Sequence, residues 1–592
     1  MRILAITLAG AFVAGMLAVA AVPAPAAETA GVAAPEPVAF DWFEYRGNDP
    51  DLAAPLPRGH FRNPILAGFY PDPSITRVGD RYYLVNSTFA YFPGIPVFES
   101  RDLVHWKLLG HAIDRPGQLD FKGLGTSRGV FAPSISHHDG VFYLFNTAVD
   151  NGGNYYLTAR DPAGPWSDPV WLPGVDGIDT SLFVDDDGQG YLLNNGPPQG
   201  APRYEGHRAI WMQAFDLKRG QPAGVRRVLL DGGVVPSSKP IWIEGPHIYK
   251  REGWYYLSSA EGGTGPQHSQ VVLRARSPWG PYEPYAHNPI LTQRGLPPDR
   301  AHPIANAGHA DLVEGIDGHW WAVFLASRTY GQGHYQTGRE TFLLPVQWRD
   351  GWPVILEAGQ AIPQVLKAPG WMQGDADQAP LSGNFAWRDD FDGPALRPEW
   401  LSLREPPQDW ASLDATPGRL RLQPRADGLE SKGLPSFLGR RQQHRHFDAR
   451  LAMQPPAHAG TSAGLAMYQD EAHWMFLGVH RPGADGRLEL QLQRRVGGQT
   501  EILARAPIEE AAELRVGVDV ADGRGDFGYD DGHGWRWLRQ DEDIHTLSTD
   551  MAGGFVGVTL GPYARWDAPA VSTPAAPGYP PTPAVSRPTQ KD

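Results

Sequence analysis

Ile241–Leu257, IWIEGPHIYKREGWYYL, decides how the rest of this chain is read. Two arms rich in apolar and aromatic residues flank Glu252-Gly253, the composition of a strand, a tight turn and a second strand. A carboxylate, Glu244, stands just before the first arm. The same pattern recurs four more times. Asp72-Pro-Ser-Ile75 leads to Gly79-Asp80 and Tyr82-Tyr83-Leu84, and Phe131-Ala-Pro-Ser-Ile135 leads to Asp139-Gly140 and Phe142-Tyr143-Leu144. Asp179-Thr-Ser-Leu182 leads to Asp187-Gly188 and Tyr191-Leu192, and His309-Ala-Asp-Leu312 leads to Asp317-Gly318 and Trp320-Trp321.

The turn glycines fall at 79, 140, 188, 253 and 318, spaced 61, 48, 65 and 65 residues apart. Most of these periods exceed the roughly 40–50 residues of common propeller repeats. A single small antiparallel sheet cannot bury its own faces, but a ring of them buries each against the next. The expectation is a five-bladed β-propeller over residues 57–358. The residue that opens the innermost strand of each blade then lies at one mouth of the central channel. Asp72, Asp179, Glu244 and His309 occupy that position, so three carboxylates and an imidazole are expected to converge.

Beyond the repeats the text changes. Residues 359–384 are rich in Gly, Pro, Ala and Gln and read as a linker. From Asp389-Asp-Phe-Asp-Gly393 onward short alternating runs follow without helical periodicity, among them Gly464–Tyr468, Leu488–Arg494 and Phe555–Leu560. They predict a β-sandwich over 385–565. The Pro-, Ala-, Thr- and Ser-rich residues 566–592 read as a disordered tail. At the other end, Met1-Arg2, an apolar run from Ile3 to Val22 and Ala24-Pro-Ala-Ala27 have the form of a secretory signal peptide, residues 1–27, cut near Ala26 or Ala27. Residues 28–56 read as a leader. A secreted or periplasmic location follows.

Composition narrows the function. Of 592 residues, 20 are Trp and 21 Tyr, in keeping with a β-rich protein and with flat surfaces on which sugars stack. The net charge of −14 disfavours a nucleic-acid partner, and no further apolar run is long enough to span a membrane. With no cysteine, disulfides, thiolate metal sites and cysteine nucleophiles are excluded. Two carboxyl groups facing each other across a channel suit hydrolysis of an acetal: one takes a proton from water, the other protonates the departing oxygen. In inverting glycosidases the two are roughly 6.5–9.5 Å apart. A third carboxylate nearby raises the pKa of the acid.

These residues resemble glycoside hydrolase family 43, the five-bladed propeller enzymes that include β-xylosidases and α-L-arabinofuranosidases. The 389–562 segment is similar to the concanavalin-like sandwich many of them carry. Asn63-Pro64 with Tyr70-Pro-Asp-Pro-Ser74 resembles the opening motif, which implies that Asp72 is the general base. Gly177-Ile-Asp-Thr-Ser-Leu182 resembles the motif of the orienting, pKa-raising acid, Asp179, with Thr180 where the family usually has Pro. Trp242-Ile-Glu-Gly-Pro-His247 resembles the general-acid motif, giving Glu244 that role. Gly338-Arg-Glu-Thr341 implies that Arg339 contacts the sugar or Asp72. His309 matches a histidine that sits under the active site and in some members helps to hold calcium. Phe89 resembles the aromatic floor of the first sugar subsite. Phe131 stands where many β-xylosidases have Trp, which keeps a flat wall and loses the indole N–H.

The resemblance implies a secreted, inverting exo-glycosidase that removes terminal β-D-xylosyl or α-L-arabinofuranosyl residues from xylo-oligosaccharides or arabinoxylan fragments. It implies no required cofactor; a calcium ion near His309 is left open. Two alternatives stand beside it. One is a non-catalytic polysaccharide-binding propeller, which would need no protonated acid opposite a base. The other is a retaining fructan-acting propeller hydrolase, whose opening motif differs from Tyr70–Ser74.

Overall fold

A computed structural model describes residues 35–372, 381–413, 417–482, 487–509 and 513–567. The expected signal peptide lies outside them, as does nearly all of the expected tail. None of the described helices is long and apolar enough to cross a membrane.

Each of the five recurring phrases is a hairpin. The first strands are Ser74–Val78, Ser134–His138, Ile178–Val184, Glu244–Arg251 and Ile304–Glu314. Each pairs antiparallel with the strand that follows it and belongs to a sheet of four or five strands. All five turn glycines have positive φ, between 64° and 80°, which a residue without Cβ adopts freely. Each first strand touches the first strand of the next sheet, and the fifth touches the first. The sheets therefore close into a five-bladed propeller with these strands innermost.

The ring is fastened where blade five meets blade one. Asn63 donates through Nδ2 to the Leu343 carbonyl and accepts from its N–H, both at 2.8 Å. Asp311, which follows His309 by two residues and has no counterpart at that offset in the other repeats, spans three blades. Its Oδ2 accepts from Ser74 Oγ at 2.7 Å and from the Ile75 N–H at 2.9 Å, and its Oδ1 accepts from the Tyr249 hydroxyl at 2.6 Å. It is buried. Removing one partner from a buried charged network leaves the others unpaired. Asp311→Ala is expected to cost about 3 kcal/mol in urea unfolding; a loss under about 1 kcal/mol would show that the ring does not depend on this clasp.

The second module is a sandwich of two eight-stranded sheets. Phe40, Phe43, Leu451, Val516 and Val518 of one meet Leu465, Met467, Leu477, Val479 and Leu490 of the other in a single core. Asp389, in the acidic cluster that opens this region, is a structural acceptor: its Oδ2 takes the Trp400 indole N–H at 2.8 Å and its Oδ1 the Phe391 N–H at 2.9 Å.

Two expected boundaries are corrected. Residues 28–56 are not a leader throughout, because Val38–Gly47 is an interior strand of the sandwich, paired with Ala386–Asp389, Leu420–Leu422 and His446–Met453. It buries Phe40, Phe43 and Tyr45. A register shift between Phe40 and Trp42 breaks its alternation, which disguised it in the sequence. Residues 359–384 are not a plain linker either, since Val365–Lys367 pairs with His60–Arg62 beside the ring closure. The modules are also interlocked. Propeller residues Tyr91–Phe92 extend the second sandwich sheet by pairing with Leu401–Leu403. Arg328 of blade five binds Glu340, Asp49 and the Gln443 carbonyl in one buried cluster.

Candidate active site

The propeller brings the sequence-derived residues together at one mouth of its channel. Asp72, Asp179, Glu244, His309, Arg339, Phe89 and Phe131 all line one cavity of about 380 Å³, with Arg128, Arg208, Trp242, Thr264 and Phe555 among the others. Several hold left-handed backbone: φ is 52° at Asp72, 57° at Asp179, 51° at His309, 55° at Phe89 and 52° at Trp242. Such conformations are rare for residues with side chains and cluster where geometry is imposed by function.

Asp72 precedes the first inner strand and is buried. Arg339 Nη1 donates to its Oδ1 at 2.9 Å and Ser87 Oγ to its Oδ2 at 2.6 Å, while His309 Nδ1 is 3.8 Å from Oδ1. Burial alone would raise its pKa, but the Arg339 charge and the hydrogen bonds outweigh it and hold the carboxyl below the ordinary range. Burial pushes His309 down to about 4, so it is neutral at pH 7 and the anchoring charge is that of Arg339. The sandwich supports this loop from behind: Arg441 Nε donates to the Phe69 carbonyl at 2.8 Å and its guanidinium lies 4.1 Å from the Tyr70 ring.

Glu244 and Asp179 are the opposite case. Burial and then the neighbouring charges of Asp179 and Asp72 push the Glu244 pKa well up, while Arg339 and Arg208 pull against them. Burial and the Asp72 charge likewise raise Asp179, although its Oδ2 accepts the Gly245 N–H at 3.1 Å. That hydrogen bond favours the anion on Asp179 and so opposes the rise. Asp72 and Glu244 are thus shifted in opposite directions, Asp72 toward the carboxylate and Glu244 toward the protonated form. Activity that needs both should fall at acid pH as Asp72 takes a proton and at alkaline pH as Glu244 loses one. Removing a like charge lowers the pKa of the acid, so Asp179→Asn should move the alkaline limb of kcat/KM down by roughly 1 unit; an unmoved limb would show that Asp179 does not tune Glu244.

Arg339 is fixed by Asp72, by Thr264 Oγ1 at 3.1 Å and by the Phe555 carbonyl at 3.3 Å, while its Nε has no hydrogen-bond partner among the described residues. Phe89 and Phe131 meet edge to face at 5.5 Å. The sequence reading missed their third partner. Phe555 comes from the sandwich, stacks on Phe89 at 5.9 Å and packs edge-on against Phe131 at 5.6 Å. The chain approaches through Gly554, where a Cβ would lie 2.4 Å from Ser127 Oγ. The sandwich thus supplies a wall of the cavity. Loss of an aromatic wall costs roughly 1 kcal/mol or somewhat more. Phe555→Ala is expected to raise KM about tenfold with a smaller change in kcat; an unchanged KM would remove Phe555 from the binding surface.

Calcium takes about six to eight oxygen ligands, whereas both Asp72 oxygens are engaged by Arg339 and Ser87. Among the described residues no group of three His, Cys, Asp or Glu could hold a metal ion.

Comparison with known proteins bears on this site. Residues 61–353 match the model of glycosyl hydrolases family 43, and residues 388–576 match that of the beta xylosidase C-terminal concanavalin A-like domain. The chain is 38% identical over 509 residues to a xylosidase/arabinosidase of Butyrivibrio fibrisolvens, covering 85% of this chain and 95% of the relative. It is 36% identical over 529 residues to a non-reducing end alpha-L-arabinofuranosidase of Bacteroides ovatus, covering 87% and 93%. Among solved structures it is similar to a GH43_12 retrieved from a capybara gut metagenome, with a TM-score of 0.84, 37% identity and coverage of 90% and 100%.

Proposed function

Since the chain belongs to glycosyl hydrolases family 43 and is a glycoside hydrolase, we propose that it is an inverting exo-enzyme that releases terminal β-D-xylosyl or α-L-arabinofuranosyl residues from xylan-derived oligosaccharides. The observation that carries this reading is the contrast between two acids lining one cavity: Asp72, paired with Arg339 and shifted down, and Glu244, buried beside Asp179 and shifted well up. The relatives' names, xylosidase/arabinosidase and non-reducing end alpha-L-arabinofuranosidase, support the sugar class.

The terminal sugar enters the aromatic pocket of Phe89, Phe131 and Phe555, beside the Arg339 that lines the same cavity. Asp72 takes a proton from a water molecule as that water attacks the anomeric carbon. Glu244 gives its proton to the glycosidic oxygen as the bond breaks. Asp179 keeps the Glu244 pKa high and, through the Gly245 N–H, fixes the start of the Glu244 strand. Neither carboxylate bonds to the sugar, so the anomeric configuration inverts. The substrate class is tested with a β-D-xylopyranoside and an α-L-arabinofuranoside bearing the same chromogenic leaving group. Turnover of at least one is expected, and turnover of neither would overturn the assignment.

We also propose export to a secreted or periplasmic location with cleavage near Ala26 or Ala27, on the evidence of the apolar run at Ile3–Val22. N-terminal sequencing of protein recovered outside the cytoplasm tests it; an intact Met1 would contradict it.

A further inference from the structure

We propose that Trp242, pinned by Arg208, is the leaving-group subsite, the platform on which the sugar beyond the scissile bond rests while Glu244 protonates the oxygen between them. The inference rests on the proposed glycosidase mechanism and narrows its substrate: the preferred leaving group is itself a sugar ring, as in an oligosaccharide.

Inversion places the attacking water and the leaving group on opposite sides of the anomeric carbon. The Asp72 side is closed. Arg339, Ser87 and His309 surround its carboxylate, and Phe89, Phe131 and Phe555 contact one another beside them. The leaving group must therefore depart past Glu244, and the chain immediately before Glu244 is Ile241-Trp242-Ile243. Trp242 lines the same cavity and is 39% exposed, whereas Phe89 at the closed end is 1% exposed.

An indole in that state needs an explanation, because bulky residues seldom adopt a φ of 52° and large apolar groups are usually covered. Blade three holds it in place. The Trp242 N–H donates to the Gly206 carbonyl at 2.9 Å, and the Arg208 guanidinium lies 4.9 Å from the ring centre. Arg208 is itself fixed, since Nε and Nη2 both donate to Asn195 Oδ1, at 3.0 and 2.7 Å. Asn195 Nδ2 in turn donates at 2.6 Å to the carbonyl of Ile243, the residue between Trp242 and Glu244. One network thus sets both the indole and the strand that carries the acid. A cation lies against the ring, which lines the cavity and stays partly exposed. Rigid, partly open aromatic faces of this kind are suited to the apolar C–H face of a pyranose.

The test compares two substrates of the same glycone that both require Glu244, a disaccharide such as xylobiose and the methyl glycoside, which has no leaving ring to stack. The quantity read is the ratio of their kcat/KM values. Trp242→Ala is expected to lower that ratio at least tenfold, while Trp242→Phe, which keeps an aromatic face, keeps it within about threefold. Trp242→Gly is a second form of the test, because glycine takes the positive φ without strain. An unchanged ratio in both the Ala and Gly variants would overturn the subsite and leave the mechanism standing. Wild-type enzyme inert on every xyloside and arabinofuranoside would overturn the mechanism, and the subsite with it.

Discussion

Glu244→Gln is expected to lower kcat on an oligosaccharide by on the order of 10³, and by far less on a substrate whose leaving group is a weakly basic phenolate. A positioned general acid contributes roughly 10²–10⁴ to rate, and 10³ corresponds to about 4 kcal/mol of the barrier. An alkoxide departing from a sugar needs the proton; a dinitrophenolate does not. Glutamine preserves the volume of an acid that burial shifts toward its neutral form, so the fold and substrate binding should be retained. The alkaline limb of the pH profile should vanish with the acid. A variant equally slow on both leaving groups would mean that Glu244 acts elsewhere than on the departing oxygen.

Asp72→Asn should be as damaging, with a different signature. The base acts on water, so the loss, again on the order of 10³, should not depend on the leaving group. This substitution also breaks the buried Arg339 pair and leaves a guanidinium without its counter-charge. Breaking a buried pair costs about 3–5 kcal/mol, so a lowered unfolding midpoint is expected alongside the lost rate. A variant with normal turnover, or one whose loss shrinks with a better leaving group, would contradict the role of the base.

The parts of this account differ in how visible they were in the sequence. The propeller was legible because each blade opens with a local hairpin whose turn glycine and aromatic arms lie within about 20 residues. The three acids were legible for a related reason, since each stands at the same place in a repeat and the topology then brings them together. His309 was legible from its place in the fifth repeat and Arg339 from motif resemblance, and both face Asp72.

What escaped had no local pattern. Val38–Gly47 looked like a leader because its strand partners lie some 340–413 residues away and a bulge breaks its alternation. Phe555 read as the start of an alternating run, but the strand begins only at Thr559, and Phe555 sits in an irregular segment after Gly553-Gly554, placed by the docking of sandwich on propeller. Asp311 had a faint signal, an acid two residues after His309 on the same inner strand, but its partners come from blades one and four. Arg208 and Trp242 meet across blades three and four, so neither repeat alone could show the contact.

The most direct test of the mechanism is the configuration of the first-formed product, followed by proton NMR during rapid hydrolysis of a terminal xyloside or arabinofuranoside. With Asp72 activating water and Glu244 protonating the leaving oxygen, the first sugar released has the anomeric configuration opposite to that of the substrate, and the other anomer grows in only through mutarotation. Release of the same anomer as the substrate would require a covalent intermediate and would contradict the roles assigned to both carboxyl groups.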